Sequence, residues 1–251
     1  MKKYVCGCAA LAVWVLAAAC TLGQGGDNIA VKSVSGMNET GWRSFWKPRF
    51  EQKFAQAEAE DIDIVFLGDS ITNFWEGNGR EVYQKHFASR KILNLGFSGD
   101  RTEHTLWILK ESGILEKMDP KVFILMIGTN NVGHNSSTPA QTIEGVREIL
   151  RVLGEKKPNA VVVLFAVFPR GANGQDGLRQ KVNEINAGLP GLCDGKRVIF
   201  VSINDQLLDA DGDTLSREMM PDLLHPGARG YEIWANAIEP FLAKYADGKI
   251  Q

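Results

Sequence analysis

One histidine of this chain stands three residues after an aspartate and directly before a proline–glycine pair, in Asp222-Leu223-Leu224-His225-Pro226-Gly227. That spacing lets a carboxylate reach an imidazole, orient it and stabilise its protonated form. An imidazole so held is what a serine hydroxyl needs, since the hydroxyl is a weak nucleophile without an adjacent base. Ser70 supplies such a hydroxyl, at the end of Ile62-Asp63-Ile64-Val65-Phe66-Leu67-Gly68-Asp69-Ser70. Acyl transfer also requires donors for the oxyanion of a tetrahedral intermediate. Candidates are the backbone N–H groups of Ser70 and Gly99 and the side-chain amide of Asn130. Gly99 lies in Gly96-Phe97-Ser98-Gly99-Asp100 and Asn130 in Gly128-Thr129-Asn130-Asn131. Taken singly, each segment also reads as something ordinary: a surface ion pair, a glycine turn, a polar loop.

The other three histidines invite milder readings. His86 falls within a predicted helix. His104 falls near a helix start, where packing or capping is expected. His134 lies on a loop at the same rim as Asn130 and could touch a substrate.

The elements that must position these groups follow from the hydropathy pattern. Short β-branched apolar runs at 62–67, 91–95, 122–127, 160–165 and 197–201 read as buried strands. Helical patterns at 81–87, 102–109, 139–155, 177–189 and 228–245 alternate with them. Thr138-Pro139 places an N-cap type ahead of a first-turn proline. Such alternation implies a parallel sheet of five strands with helices on both faces, a three-layer α/β/α domain over 40–251. The loops carrying Ser70, Gly99 and Asn130 all follow strands. They therefore project from the carboxyl edge, where open α/β sheets keep their ligand sites. Trp42, Phe45, Trp46, Phe50 and Phe54 recur at helical spacing over 41–60, with Pro48 marking a break, and are expected to pack.

The 251 residues are 44% hydrophobic with a formal net charge of −2, which gives no electrostatic footprint for nucleic acid. Lys2-Lys3, an apolar stretch from Ala9 and Ala17-Ala18-Ala19 form an export-signal pattern over 1–19. Cys20 follows directly, as in a bacterial lipobox, although Ala17 stands where leucine is usual. Lipidation of Cys20 would tether the chain to an envelope membrane; periplasmic or secreted protein is the alternative. Residues 20–39 read as a tether or irregular lead-in. With Cys6 and Cys8 in the leader and Cys20 lipidated, Cys193 is left without a disulfide partner. Asp209-Ala210-Asp211-Gly212-Asp213 alternates acids but lacks a calcium loop's closing glutamate, and is read as a tight turn. No metal and no cofactor is expected.

Together the four loops resemble the sequence blocks of the SGNH (GDSL-type) esterase and lipase superfamily, with Ser70, Gly99, Asn130 and His225 as its name residues. Residue 71 is isoleucine where the family nickname has leucine. Asn94-Leu95-Gly96-Phe97-Ser98-Gly99-Asp100-Arg101-Thr102, His104-Thr105-Leu106-Trp107 and Phe168-Pro169-Arg170-Gly171 are similar to one branch, the catalytic subunits of intracellular platelet-activating-factor acetylhydrolase. The resemblance spans about 60–245 and leaves out the leader and the segment around Trp42. It implies a flavodoxin-like fold and metal-independent hydrolysis of short-chain esters, acetyl esters above all. It also implies Ser70 as nucleophile, His225 as base and acid, Asp222 as its partner, and a homodimer. Export departs from an intracellular phospholipid role. O-acetylated carbohydrate is then the expected small-molecule or glycan substrate. An envelope phospholipid or lysophospholipid is the alternative, and a non-catalytic glycan-binding protein is the reading from another class.

Overall fold

Strand residues divide between two cores according to their parity. The computed structural model describes residues 27–248. In it β1 (Ile64–Gly68), β2 (Ile92–Gly96), β3 (Val122–Met126), β4 (Val161–Phe165) and β5 (Val198–Val201) form one parallel sheet in the order β2-β1-β3-β4-β5. Val65, Leu67, Leu93, Leu95, Phe123 and Leu125 pack into one apolar cluster, whereas Ile64, Phe66, Ile92 and Ile124 pack into the other. Successive side chains of a strand point to opposite faces, so runs that must fill both cores lose the usual apolar–polar alternation.

Among the described residues eight α-helices accompany the sheet: α1 (Trp46–Ala59), α2 (Ser70–Asn73), α3 (Arg80–Phe87), α4 (Thr102–Lys110), α5 (Thr129–Gly133), α6 (Pro139–Lys156), α7 (Gly177–Gly188) and α8 (Ala228–Phe241). α1, α4, α6 and α7 contribute to the first cluster, and α3 and α8 to the second. This is the three-layer α/β/α arrangement expected of the sequence. Thr138 closes a capping box with Gln141 at the start of α6, and Pro139 takes its first helical position. α2 and α5 are single turns too short for a periodic signal. Each begins within three residues of a strand's end, at Ser70 and Thr129.

The aromatic segment differs from its expectation. Helix begins at Trp46, not 41, and Pro48 sits in the first turn, where its missing N–H breaks no hydrogen bond. Ahead of it a 3-10 turn spans Gly41–Arg43, with Gly41 at φ +61°. The lead-in is irregular from residue 27 onward but is not a free tether. Ala30 is fully buried, its carbonyl accepts from the Thr102 hydroxyl at 2.9 Å, and the Val34 N–H donates to the Glu103 carbonyl at 3.0 Å. The predicted leader and Cys20 lie outside the described residues.

The strand order reverses between β1 and β3: the chain leaves β1 for β2 on one side and returns to β3 on the other. Such a switch point opens a crevice at the carboxyl edge. Ser70 follows β1 and Asn130 follows β3, so the two flank it.

Candidate active site

The turn that presents Ser70 is built by close backbone packing. A Cβ added at Gly68 would lie 2.2 Å from Thr72 Oγ1 and 2.4 Å from the Met126 carbonyl oxygen, so only glycine fits there. Asp69 is fully buried, and its Oδ1 accepts the Ile71 N–H at 2.9 Å, capping α2. Burial pushes its carboxyl up to about 6, against the pull of the Ile71 N–H, His225 and Arg170. Asp69 thus shapes the turn that raises Ser70 above the sheet edge.

The 222–225 turn brings the base to that hydroxyl. Asp222 Oδ1 accepts the N–H of Leu224 at 3.0 Å and of His225 at 2.7 Å, while Oδ2 lies 2.7 Å from His225 Nδ1. To close this turn Leu223 adopts φ +63°, a left-handed conformation that costs a non-glycine residue roughly 1–2 kcal/mol. Its carbonyl is held by the Gly171 N–H at 2.9 Å. Partial burial pushes the Asp222 carboxyl up, but the His225 N–H, the His225 ring and the Leu224 N–H outweigh it and hold the group below its ordinary value. A carboxylate only accepts, so the ring proton sits on Nδ1 and Nε2 is left as an acceptor. Nε2 lies 2.9 Å from Ser70 Oγ, and Phe74 packs against the ring at a centroid distance of 5.0 Å. The arrangement can draw a proton from Ser70 as its oxygen attacks a carbonyl.

Gly99 and Asn130 reach the same place from the other two loops. Gly99 has φ +79°, and a Cβ there would lie 2.5 Å from the Trp42 indole. Asn130 Nδ2 donates one N–H to the Asp100 carbonyl at 3.0 Å, leaving its second N–H for a ligand. Asp100 ties these donors to the lead-in. Its carboxylate is fully buried and accepts from Arg43 Nη2 at 2.7 Å and from Trp46 Nε1 at 2.8 Å. Burial raises the Asp100 carboxyl, and Arg43 and the Trp46 N–H oppose that rise. Asn131 locks the loops together, accepting the Thr102 N–H at 3.1 Å and donating to Thr102 Oγ1 at 3.0 Å.

A pocket of about 320 Å³ opens over Ser70, lined by Trp42, Phe45, Phe74, Ser98, Gly99, Asn130, His134, Leu224 and His225. All five residues singled out for chemistry are therefore within one constellation: four line the pocket, and Asp222 backs His225. A larger cleft of about 520 Å³ lies at the amino ends of the strands among Asp63, Lys91, Glu116 and Lys157, and holds none of these groups.

Two pocket residues were expected to pack instead. Trp46 is fully buried, as its spacing suggests, but Trp42 is 67% exposed and lines the pocket with Phe45. Phe74 also lines the pocket, against the His225 ring. Its place four residues after Ser70, on the turn that presents the hydroxyl, was the available signal. His134 lines the pocket, and burial together with Arg101, Arg43 and Arg170 holds it below the usual histidine range. His104 caps α4 by accepting the Arg101 N–H at 3.1 Å, and burial, then Arg43 and Arg101, push it down to about 3. His86, on α3, pairs with Glu232 of α8 at 2.9 Å. Asp211 closes its own turn, accepting the N–H groups of Asp213 and Thr214.

Residues 66–233 match the model of the GDSL-like lipase/acylhydrolase family. The chain is 31% identical over 200 residues to platelet-activating factor acetylhydrolase IB subunit alpha1 of Homo sapiens, covering 79% of this chain and 83% of that protein. Among solved structures it is similar to a GDSL-like lipase from Bacteroides thetaiotaomicron, with a TM-score of 0.66, 21% identity, and 78% and 97% of the two chains covered. It is also similar to a catalytic mutant of an acetylxylan esterase from Geobacillus stearothermophilus, with a TM-score of 0.57, 18% identity, and coverage of 75% and 96%. At such identities the two structures speak for the fold alone. The family model and the human relative decide the rest: the chain belongs to the GDSL-like lipase/acylhydrolase family and is a carboxylic ester hydrolase.

Proposed function

We propose that this acylhydrolase removes acetyl groups from O-acetylated carbohydrate outside the cytoplasm, using Ser70, His225 and Asp222 as a catalytic triad. The observation that carries the reading is the relay of 2.9 Å from Ser70 Oγ to His225 Nε2 and 2.7 Å from Nδ1 to Asp222, at the floor of an aromatic-walled pocket. Ser70 Oγ attacks the ester carbonyl carbon while His225 Nε2 takes its proton. The Ser70 and Gly99 N–H groups and the free N–H of Asn130 hold the oxyanion. Collapse breaks the bond to the sugar oxygen, which leaves with the proton from His225. Water then attacks the acetyl-serine, giving its proton to His225, and acetate departs as Ser70 regains the proton.

Acetyl is the favoured acyl group because the human relative, 31% identical, carries it in its name. Carbohydrate is favoured over lipid by the expected export, through the leader over 1–19 or a lipidated Cys20, and by the pocket's exposed indole. A lipid acetyl ester is the second reading, supported by the apolar wall of Phe45, Phe74 and Leu224. The test is acetate release from acetylated xylo-oligosaccharides and from a short-chain acetyl phospholipid, with fluorophosphonate labelling located by peptide mass spectrometry. Label on Ser70 and acetate from the sugar ester are expected. No label at Ser70, or undiminished turnover in Ser70→Ala, refutes the assignment.

A further inference from the structure

Trp42 is an anomaly of the surface. Of the three large apolar side chains that stand out as exposed among the described residues, Ile29 and Val31 are 37% exposed and Trp42 is 67% exposed. Leaving an indole in water forgoes about 25 cal/mol for each Å² that burial would remove. This one is nevertheless held in place. Arg43, the next residue, is anchored in the buried Asp100 carboxylate at 2.7 Å, and its guanidinium carbon lies 5.8 Å from the Trp42 ring centroid. The indole abuts Gly99, whose lack of a side chain makes room for it. A rigid, solvent-facing ring thus stands beside the candidate oxyanion donor, in the same pocket as Ser70.

The ring comes from residues 41–43, outside the matched span of 66–233. The family domain therefore supplies the reacting groups, while a segment ahead of it supplies a wall. An exposed flat indole suits a ligand with one apolar face and a polar edge. A pyranose ring has both: its axial C–H groups meet the π-face while its hydroxyls stay in water. A long acyl chain gains most from enclosure on all sides, which a ring two-thirds exposed does not provide. His134, also at the rim, adds a polar neighbour for the sugar's edge.

We propose that Trp42 is the platform on which the sugar ring carrying the acetyl ester stacks, making it the residue that sets preference for carbohydrate esters. The proposal rests on the reading that Ser70 attacks an acetyl ester, and its test separates the two. Trp42→Ala and Trp42→Phe are compared with the wild type on methyl acetate, acetylated xylo-oligosaccharide, glucose pentaacetate and an acetyl phospholipid. For Trp42→Ala, kcat/KM on the two sugar esters should fall about tenfold, mainly through KM, consistent with loss of one stacking contact. The fall on methyl acetate, which makes no such stacking contact, should be several-fold smaller than that on the sugar esters, and Trp42→Phe should recover part of the sugar-ester loss. An equal fall on methyl acetate would mean that Trp42 merely shapes the Gly99 loop. A larger fall on the phospholipid would make the ring an acyl wall. No fall on either sugar ester would remove it from recognition. Each of these overturns the proposal. Binding of acetylated xylo-oligosaccharide to Ser70→Ala and to Ser70→Ala/Trp42→Ala, measured by titration calorimetry, needs no turnover. About tenfold weaker binding in the double variant supports the platform even if Ser70 proves not to be the nucleophile, and equal binding refutes it.

Discussion

Replacing Asp222 by asparagine should damage catalysis more than replacing it by alanine, and the hydrogen bonds around it say why. Oδ1 of Asp222 accepts two backbone N–H groups, from Leu224 at 3.0 Å and His225 at 2.7 Å. An asparagine keeps its carbonyl oxygen on those donors, which puts its amide nitrogen where Oδ2 now lies, 2.7 Å from His225 Nδ1. A donor facing Nδ1 drives the ring proton to Nε2, and the ring can no longer accept from Ser70. Recovering the working tautomer would set two N–H donors against each other, at about 1–3 kcal/mol for each group left unsatisfied. The Asp222 side chain is 57% exposed, so water relieves part of this. The net cost is on the order of 3–4 kcal/mol, or roughly 10²- to 10³-fold in kcat. Alanine removes the acceptor without installing the wrong donor, and water can then accept from Nδ1–H. Its kcat should therefore exceed that of asparagine by about tenfold, and added formate should restore part of its rate but none of asparagine's. In urea unfolding the order reverses, because alanine strands the two backbone donors and loosens the left-handed Leu223. The assay is kcat on methyl acetate for both variants, with and without formate. Asparagine at or above alanine in kcat, or both within tenfold of wild type, would refute the tautomer argument.

Other outcomes follow from the same contacts. Asn130→Ala removes one oxyanion donor and should lower kcat about 10²- to 10³-fold with little change in KM, read from steady-state kinetics. Arg43→Met removes the cation that opposes burial at Asp100, whose carboxyl is raised to about 8, so the group takes up a proton. The cost is that of the lost buried hydrogen bond, about 1–3 kcal/mol, seen as a melting temperature lower by roughly 2–12 °C. His104 is 1% exposed and pushed down to about 3 in the fold, so the unfolded chain takes up its proton first as pH falls. Stability from the neutral ring is present above the unfolded histidine range and is lost as pH falls through it. Comparing urea unfolding of wild type and His104→Gln, the difference should shift by about 2 kcal/mol in the variant's favour between pH 7 and pH 5.

The reacting residues could be read from the chain because each announces itself locally. Ser70 closes an apolar strand, Asn130 follows another, and Asp222 and His225 lie three residues apart with a proline–glycine pair behind them. The five strands were legible for a similar reason, since unbroken apolar runs are what a sheet buried on both faces requires. The ring of Trp42 was not. Its spacing from Phe45 and Trp46 fits a helix, and only the 3-10 turn at Gly41–Arg43 sends it to solvent while Trp46 turns into the core. Nor does any local pattern disclose that Arg43 and Asp100, 57 residues apart, meet in a buried pair that steadies the oxyanion loop. The left-handed backbone of Leu223 carries no compositional sign either. It is imposed by the acceptors of Asp222 on one side and by Gly171 on the other.

Tyr231 stands six residues beyond His225, in the first turn of α8, fully buried against Trp75 and Trp234. Its hydroxyl donates to the Ile71 carbonyl at 2.7 Å, one residue past Ser70. A single buried bond therefore moors the base-bearing turn to the nucleophile-bearing turn, although 155 residues of chain separate Ser70 from His225. The loop between β5 and the 222–225 turn thus ends on a point that is fixed independently of the loop's own length. It can lengthen, shorten or change its chemistry over evolutionary time without altering how far the base stands from the serine. New rims can be fitted to an unchanged reaction centre, and a family with one chemistry can in this way come to serve many different esters.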